Sequence, residues 1–356
     1  MESKTMMIAI GVCAVLLVAG VGAYFFLQED ETDLKVAYLD KGGYEALLVA
    51  QSKGYFNDIN CNVELSPNTG SGQNCVERLL AGDVDIAATG DGPLINALVS
   101  ADYKDIVKVV CSIGYTMNSH TFVARAGSGI VNPDTFAGTE AEYKAQLKTD
   151  LMSSGKKIGI IAGSTTESTF EKWCKSYLGM TDAEYTTFKG SNLSYITNGD
   201  NLVMALQANT IDAMAASNPY PVAALGIDGT YKIGSSDDIG VKGTMVLVTT
   251  QAIYDEKADA MKEFVKAMKN ATDFMSNSAN IDECVDICLE KINWGLANAD
   301  SNKKAQKDAL INAVFFTAYD DVVINMISAN GASKGLTEAK VAASCPLKDY
   351  LAEINA

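Results

Sequence analysis

Five short stretches carry residue types able to hold a small anion without a formal cation. They are Asp40–Tyr44, Gly70–Gly72, Thr89–Gly92, Gly163–Thr166 and Ser217–Tyr220. Each leads into a segment with helical character. A helix start leaves backbone N–H groups unpaired and carries the positive end of the peptide dipole. Glycine lets that backbone approach a ligand, and Ser71, Thr89, Ser164, Thr165, Thr166 and Asn218 add side-chain donors. Tyr44, Tyr115 and Tyr220 are candidates to wall such a pocket. Asp91 either meets a ligand ammonium or hydroxyl or braces its own loop. The candidate binding set is therefore Asp40, Gly42, Gly43, Tyr44, Ser71, Gly72, Thr89, Gly90, Asp91, Tyr115, Ser164, Thr165, Thr166, Asn218 and Tyr220. For one loop alone, a helix cap with no ligand is the simpler account. Five loops at matching places favour a cleft.

Catalytic chemistry has little to work with. The chain contains no Gly-x-Ser-x-Gly, no His-Glu-x-x-His and no phosphate loop ending Gly-Lys-Ser. Its one histidine, His120, reads as a structural residue beside a strand. The eight cysteines include no Cys-x-x-Cys pair, so neither metal-ligand spacing nor a redox motif is present. Buried thiols are the default, with Cys61 and Cys75 as the pair best spaced to bridge in an oxidising exterior. No catalytic residue, metal or cofactor is expected.

The loops must be held by elements, and those elements come twice. Leu79–Leu98 reads as a helix end, a strand, a turn and a new helix opening at Pro93. Leu206–Leu225 repeats it at an offset of about 127 residues. Gly82 answers to Asn209, both tolerant of the left-handed conformation that ends a helix. Asp85 answers to Asp212 one residue into each strand, where hydrogen bonds to nearby backbone account for both acids. Upstream, strand Lys35–Leu39 with helix Tyr44–Lys53 matches strand Lys157–Ile161 with the helix after Ser164. The chain is thus an α/β unit built twice. In open α/β sheets the ligand crevice lies beyond the carboxyl ends of the strands, which is where all five loops fall.

Further strands are expected at Cys61–Leu65, Ile106–Ile113 and Thr121–Arg125, the last crossing to the second lobe, with Gly243–Thr249 as the return. The remainder reads as helical, including Lys257–Asn277 and Lys303–Phe315. This divides the chain into an N-terminal segment with linker (1–32), a first lobe (33–120), a second lobe (121–244) and a return to the first lobe with C-terminal helices (245–356).

Length and charge bound the rest. Residues beyond the N-terminal segment suffice for two lobes of ordinary domain size. The net charge of −16 argues against nucleic acid and anionic membrane surfaces as partners. Met6–Leu27 holds no charged residue and as a helix would run roughly 33 Å, enough to cross a bilayer. Lys4 before it and Gln28-Glu29-Asp30-Glu31 after it orient the bulk of the chain outside. A retained anchor is favoured over a cleaved signal, for which Ala19–Ala23 offers only a weak site. Asn192 and Asn270 head two sequons.

Several of these motifs resemble one family. Glu45–Phe56 (EALLVAQSKGYF), Asn62–Leu65, Gly70-Ser71-Gly72, Leu80–Ala87 (LAGDVDIA) and Gly90–Pro93 are similar to the nitrate/sulfonate/taurine class of ABC-transporter substrate-binding proteins. Lys157–Gly159 with Gly163–Thr165, and Ile211–Ala213 with Asn218–Tyr220, resemble its second-lobe landmarks. The likeness spans about residues 34–250. It implies a two-lobed α/β fold of the periplasmic-binding-protein type II (Venus-flytrap) kind, here behind an N-terminal transmembrane helix. It implies no enzyme activity, a small organic anion such as an alkanesulfonate or taurine as ligand, and delivery to an ABC permease driven by its ATPase. The same resemblance takes in binders of pyrimidine or thiamine precursors. A ligand-sensing ectodomain is the remaining alternative. The related pyrimidine synthases carry a cysteine-rich signature and an active-site histidine that this chain lacks at matching places.

Overall fold

Two β-sheets, each flanked by helices, organise the computed structural model, which describes residues 34–39, 42–68, 70–117, 120–296 and 298–356. The expected membrane segment 6–27, the linker after it and Asp40 lie outside the described residues. Among those described, no helix is long and apolar enough to cross a membrane.

The first sheet begins with β1 (Leu34–Leu39), α1 (Glu45–Ser52), β2 (Val63–Asn68), α2 (Gly72–Leu80), β3 (Ile86–Gly90), α3 (Asp91–Val99) and β4 (Val107–Thr116). The second holds β5 (His120–Arg125), α4 (Glu140–Met152), β6 (Ile158–Ile160), α5 (Thr165–Ser176), α6 (Asp182–Asn192), β7 (Leu193–Tyr195), α7 (Gly199–Gln207), β8 (Ala213–Ser217), α8 (Tyr220–Leu225) and β9 (Thr230–Ser235). The chain then returns with β10 (Gly243–Thr250), α9 (Gln251–Ser276), α10 (Ile281–Leu289), α11 (Ala299–Ile311), β11 (Ala313–Ala318), α12 (Asp321–Gly331), α13 (Glu338–Ala342) and α14 (Lys348–Ile354).

Strand order exposes the duplication. The first sheet runs β2-β1-β3-β10-β4-β11 and the second β7-β6-β8-β5-β9. In each, three parallel strands are followed by one antiparallel strand supplied from the other side of a crossover. The two acids occupy equivalent bonds. The Asp85 N–H donates to the Lys35 carbonyl at 2.8 Å, and its Oδ2 accepts the Lys35 N–H at 2.8 Å. Asp212 makes the same pair with Lys157, at 2.7 and 3.0 Å. Each acid then takes a cation, Lys257 at 2.8 Å and Arg125 at 2.7 Å. Gly82 (φ 78°) and Asn209 (φ 59°) both adopt the left-handed conformation that closes the preceding helix.

The cores follow the two sheets. Around the first sheet, Val36, Ile86, Val109 and Leu247 pack against Leu47, Phe264 and Val265 of α1 and α9. Around the second, Phe122, Phe170 and Trp173 form an edge-and-stack cluster with centroids 4.8–5.7 Å apart.

Three expectations need correction. The helix read over Lys303–Phe315 stops at Ile311, and Ala313–Ala318 is strand β11. Its Val-Phe-Phe-Thr run suits a pleated surface, and β4 offers an edge to pair with. Cys61 and Cys75 are thiols rather than a disulfide, as are the other described cysteines, all buried. Asn192 is buried, and its amide donates to the carbonyls of Leu151, Ser153 and Lys156, which removes it as a glycosylation acceptor in the folded chain.

Candidate functional site

The carboxyl ends of β1, β3, β6 and β8 face one another across the gap between the sheets. The lobes meet there through backbone. The Gly92 N–H donates to Thr165 Oγ1 at 3.2 Å. A Cβ placed on Gly90 would stand 2.3 Å from that same oxygen, and one on Gly92 would stand 2.7 Å from Thr165 Cα. Only glycine on α3 lets α5 come this close.

Between the lobes lies a small cavity of about 60 Å³, room for a few water-sized groups. Nine of the expected residues line it: Gly42, Gly43, Tyr44, Ser71, Gly72, Gly90, Ser164, Thr165 and Thr166. They stand at the starts of α1, α2, α3 and α5. Tyr44 precedes α1 without a side-chain cap, and Gly90 precedes α3 with no side chain to offer. Ser164 caps α5, accepting the Glu167 N–H at 3.1 Å and donating to the Ile161 carbonyl at 2.7 Å. Glu167 turns to the Gly163 N–H at 2.7 Å. No lysine or arginine is among the lining residues.

Two buried hydroxyls in this region have no protein partner. Thr89 Oγ1 lies beneath Gly72, where a Cβ would come within 2.3 Å of it, and Thr244 Oγ1 is on the cavity wall. Leaving a buried hydroxyl unpaired costs about 1–3 kcal/mol. Folded chains keep such groups where something else satisfies them.

The remaining expected residues are placed differently. Asn218 lines a second, larger chamber of about 290 Å³ that shares Gly42, Gly43, Thr116 and Ser217 with the small cavity. Asp91 belongs to the first turn of α3 rather than to a loop, and its side chain faces a third cavity beside α12. There its Oδ2 accepts the Asn330 amide at 2.6 Å. Burial pushes its carboxyl up to about 6, against the pull of the Asn330 amide and the Gly92 N–H. Tyr115 packs edge-on to Phe316 with Lys242 over its ring, and Tyr220 lies against Gly199; neither lines the cavities. Burial pushes the Tyr44 hydroxyl far above its ordinary range, keeping it a neutral donor.

Sequence reasoning missed His120, Thr116, Thr244 and Met245 on the small cavity and Glu45 and Trp294 on the chamber. His120 is buried, with Nδ1 2.9 Å from Thr166 Oγ1. Being the one histidine, and opening a crossover strand, was a signal for it. Thr244 and Met245 offered none, since only the antiparallel insertion of β10 beside β3 brings them to the site.

A family model described as the NMT1-like family matches residues 27–289. The chain belongs to the NMT1-like family. No curated protein matches its sequence. Among solved structures, this NMT1-like chain is similar to the alkanesulfonate-binding protein SsuA from Xanthomonas axonopodis pv. citri bound to MOPS, at TM-score 0.64 and 15% identity over 88% of this chain and 98% of that one. It is similar to the periplasmic nitrate-binding protein NrtA from Synechocystis PCC 6803, at TM-score 0.61 and 14% identity over 89% and 86%. A Candida albicans gene product with the generic periplasmic-binding-protein fold matches at TM-score 0.65 and 15% identity over 88% and 94%. These likenesses give the NMT1-like chain the mixed α/β, two-sheet architecture of periplasmic binding proteins, as its motifs led one to expect.

Proposed function

We propose that this NMT1-like chain is an extracytoplasmic solute-binding protein, not an enzyme, that closes over a small organic anion and hands it to the permease of an ABC importer. Residues 33–120 with 245–356 act as one lobe and 121–244 as the other, tethered by residues 6–27. The carrying observation is the small cavity itself: several helix starts and the unpartnered Thr244 hydroxyl on its wall, with no lysine or arginine among the lining residues. Neutral, fixed donors of this kind bind an anion at contact even in a chain of net charge −16. The names of the similar structures, an alkanesulfonate binder and a nitrate binder, support the reading of an anion, and alkanesulfonates are the class we propose.

Thermal unfolding of the purified protein against alkanesulfonates, nitrate, carboxylates and pyrimidines tests the reading. A ligand at about a hundred times its Kd adds roughly 2.7 kcal/mol, an easily read rise in Tm. A rise with a sulfonate that its carboxylate analogue fails to give supports the proposal. A rise with pyrimidines alone would overturn the anion while keeping solute capture.

A further inference from the structure

Anion capture accounts for the small cavity and leaves the larger chamber beside it unexplained. The chamber encloses about 290 Å³, and its walls include Val222, Trp294, Leu296 and Ala305. Lys304 and Asp308 on its solvent side pair with each other. One ionisable group is built into its inner wall, Glu45 on the first turn of α1, only 2% exposed. Its Oε2 accepts the Gly43 N–H at 2.7 Å, its own backbone N–H also bonds the carboxylate, and Oε1 takes a long contact of 3.4 Å from the Gln306 amide. Gln306 is itself held by Trp294, whose Nε1 donates to its Oε1 at 2.9 Å.

A carboxylate offers about four acceptor positions, so this one keeps capacity to spare. Among the described residues no lysine or arginine forms an ion pair with it. Burial holds its carboxyl above the usual range despite those hydrogen bonds. An acid in an apolar wall, next to a pocket for anions, works against the pocket unless positive charge comes between them. Gly42, Gly43, Thr116 and Ser217 border both spaces, so the chamber lies directly beside the small cavity.

Resting on the anion reading above, we propose that Glu45 receives a positively charged nitrogen of the ligand. The solute is then a zwitterion with three parts. An anionic head sits at the helix starts, an apolar body fills the chamber, and a protonated amine sits on Glu45. The carboxylate selects against analogues that lack the nitrogen, because an unanswered buried charge is costly.

The test is isothermal titration of the full chain with butane-1-sulfonate, 4-hydroxybutane-1-sulfonate and 4-aminobutane-1-sulfonate, on the wild type and on Glu45→Gln. The wild type should bind the amino compound at least tenfold more tightly than either neutral analogue, and Glu45→Gln should bring that ratio close to one. A ratio that survives in Glu45→Gln overturns the assignment. So does a wild type that binds the three alike, and this arm decides the matter even where the variant fails to fold. Binding of the plain sulfonate without amine preference refutes this inference alone. Binding of none of the three refutes the anion reading along with it.

Discussion

Gly92→Ala isolates lobe closure from lobe folding. Gly92 is the second residue of α3, and its φ is not in the left-handed region. An alanine there is therefore neutral or favourable to the isolated first lobe, by at most about 1 kcal/mol of helix propensity. With the lobes in contact as the structure has them, the added Cβ stands 2.7 Å from Thr165 Cα, 3.1 Å from Thr165 N and 3.0 Å from Ser168 Oγ. Carbon atoms in contact prefer about 3.5–4.0 Å, so α5 must retreat by roughly 1 Å. Most of the clash is with backbone, which has no rotamer to yield. Overpacking of this kind costs about 1–3 kcal/mol, here charged to the closed state alone. At about 1.4 kcal/mol per tenfold, Kd for the tightest sulfonate should rise some five- to hundredfold. The Tm of the unliganded protein should hold or rise. Titration calorimetry gives the first number, thermal unfolding the second, and solution scattering with saturating ligand reports whether the molecule still contracts. A Kd within twofold of wild type would refute the reasoning, as would a weakened affinity accompanied by an equal fall in unliganded stability.

Two further substitutions test local electrostatics and the duplication. Asp91 holds its proton in the folded chain up to about 6, against 3.8 for an ordinary aspartate, so between about pH 4 and 6 the folded state binds more protons than the unfolded one and stability falls as pH rises, by about 3 kcal/mol at most. Asp91→Asn should flatten that slope in urea unfolding across pH 4.5–7.5, and an unaltered slope counts against the buried carboxyl as its source. Asp85→Ala and Asp212→Ala each remove the acceptor of a strand N–H and one half of a partly buried ion pair. Each should cost about 1–3 kcal/mol in chemical denaturation, and a loss under about 0.5 kcal/mol at either would contradict their equivalence.

Much of this arrangement was legible because it rests on local chemistry. Glycine before a helix, an Asp beside the start of a strand and a residue tolerant of positive φ at a helix end are constraints a short segment imposes on itself. They located α1, α2, α3 and α5 to within a few residues and paired Asp85 with Asp212. What escaped depends on distant chain. Strand β11 was read as helix because its pairing partner, β4, lies some two hundred residues earlier. Tyr115 packs on Phe316 and Tyr220 against Gly199 rather than along either cavity, a matter of register and packing that composition does not carry. Thr244 reaches the cavity only because β10 returns antiparallel between β3 and β4.

The duplication also explains why the site is built from backbone. Each lobe brings the same end of its parallel strands to the cleft, so each brings helix starts, and two such sets facing each other sum their positive ends without any lysine or arginine. Side chains are then free to differ between the copies without loss of that shared field. The first copy puts bare glycine at the start of α3, and Thr165 of α5, which is not its counterpart in the repeat, accepts the Gly92 N–H across the gap. That bond forms only when the lobes meet. On the proposed reading it would tie the geometry that seals the cavity to the geometry that completes it, making closure and capture one step. At an ionic strength near that of the cell, charges more than about 8 Å apart are largely screened. On the proposed reading, the acidic outer surface would therefore matter little once a ligand is inside, and selectivity would be set by the few groups within contact distance.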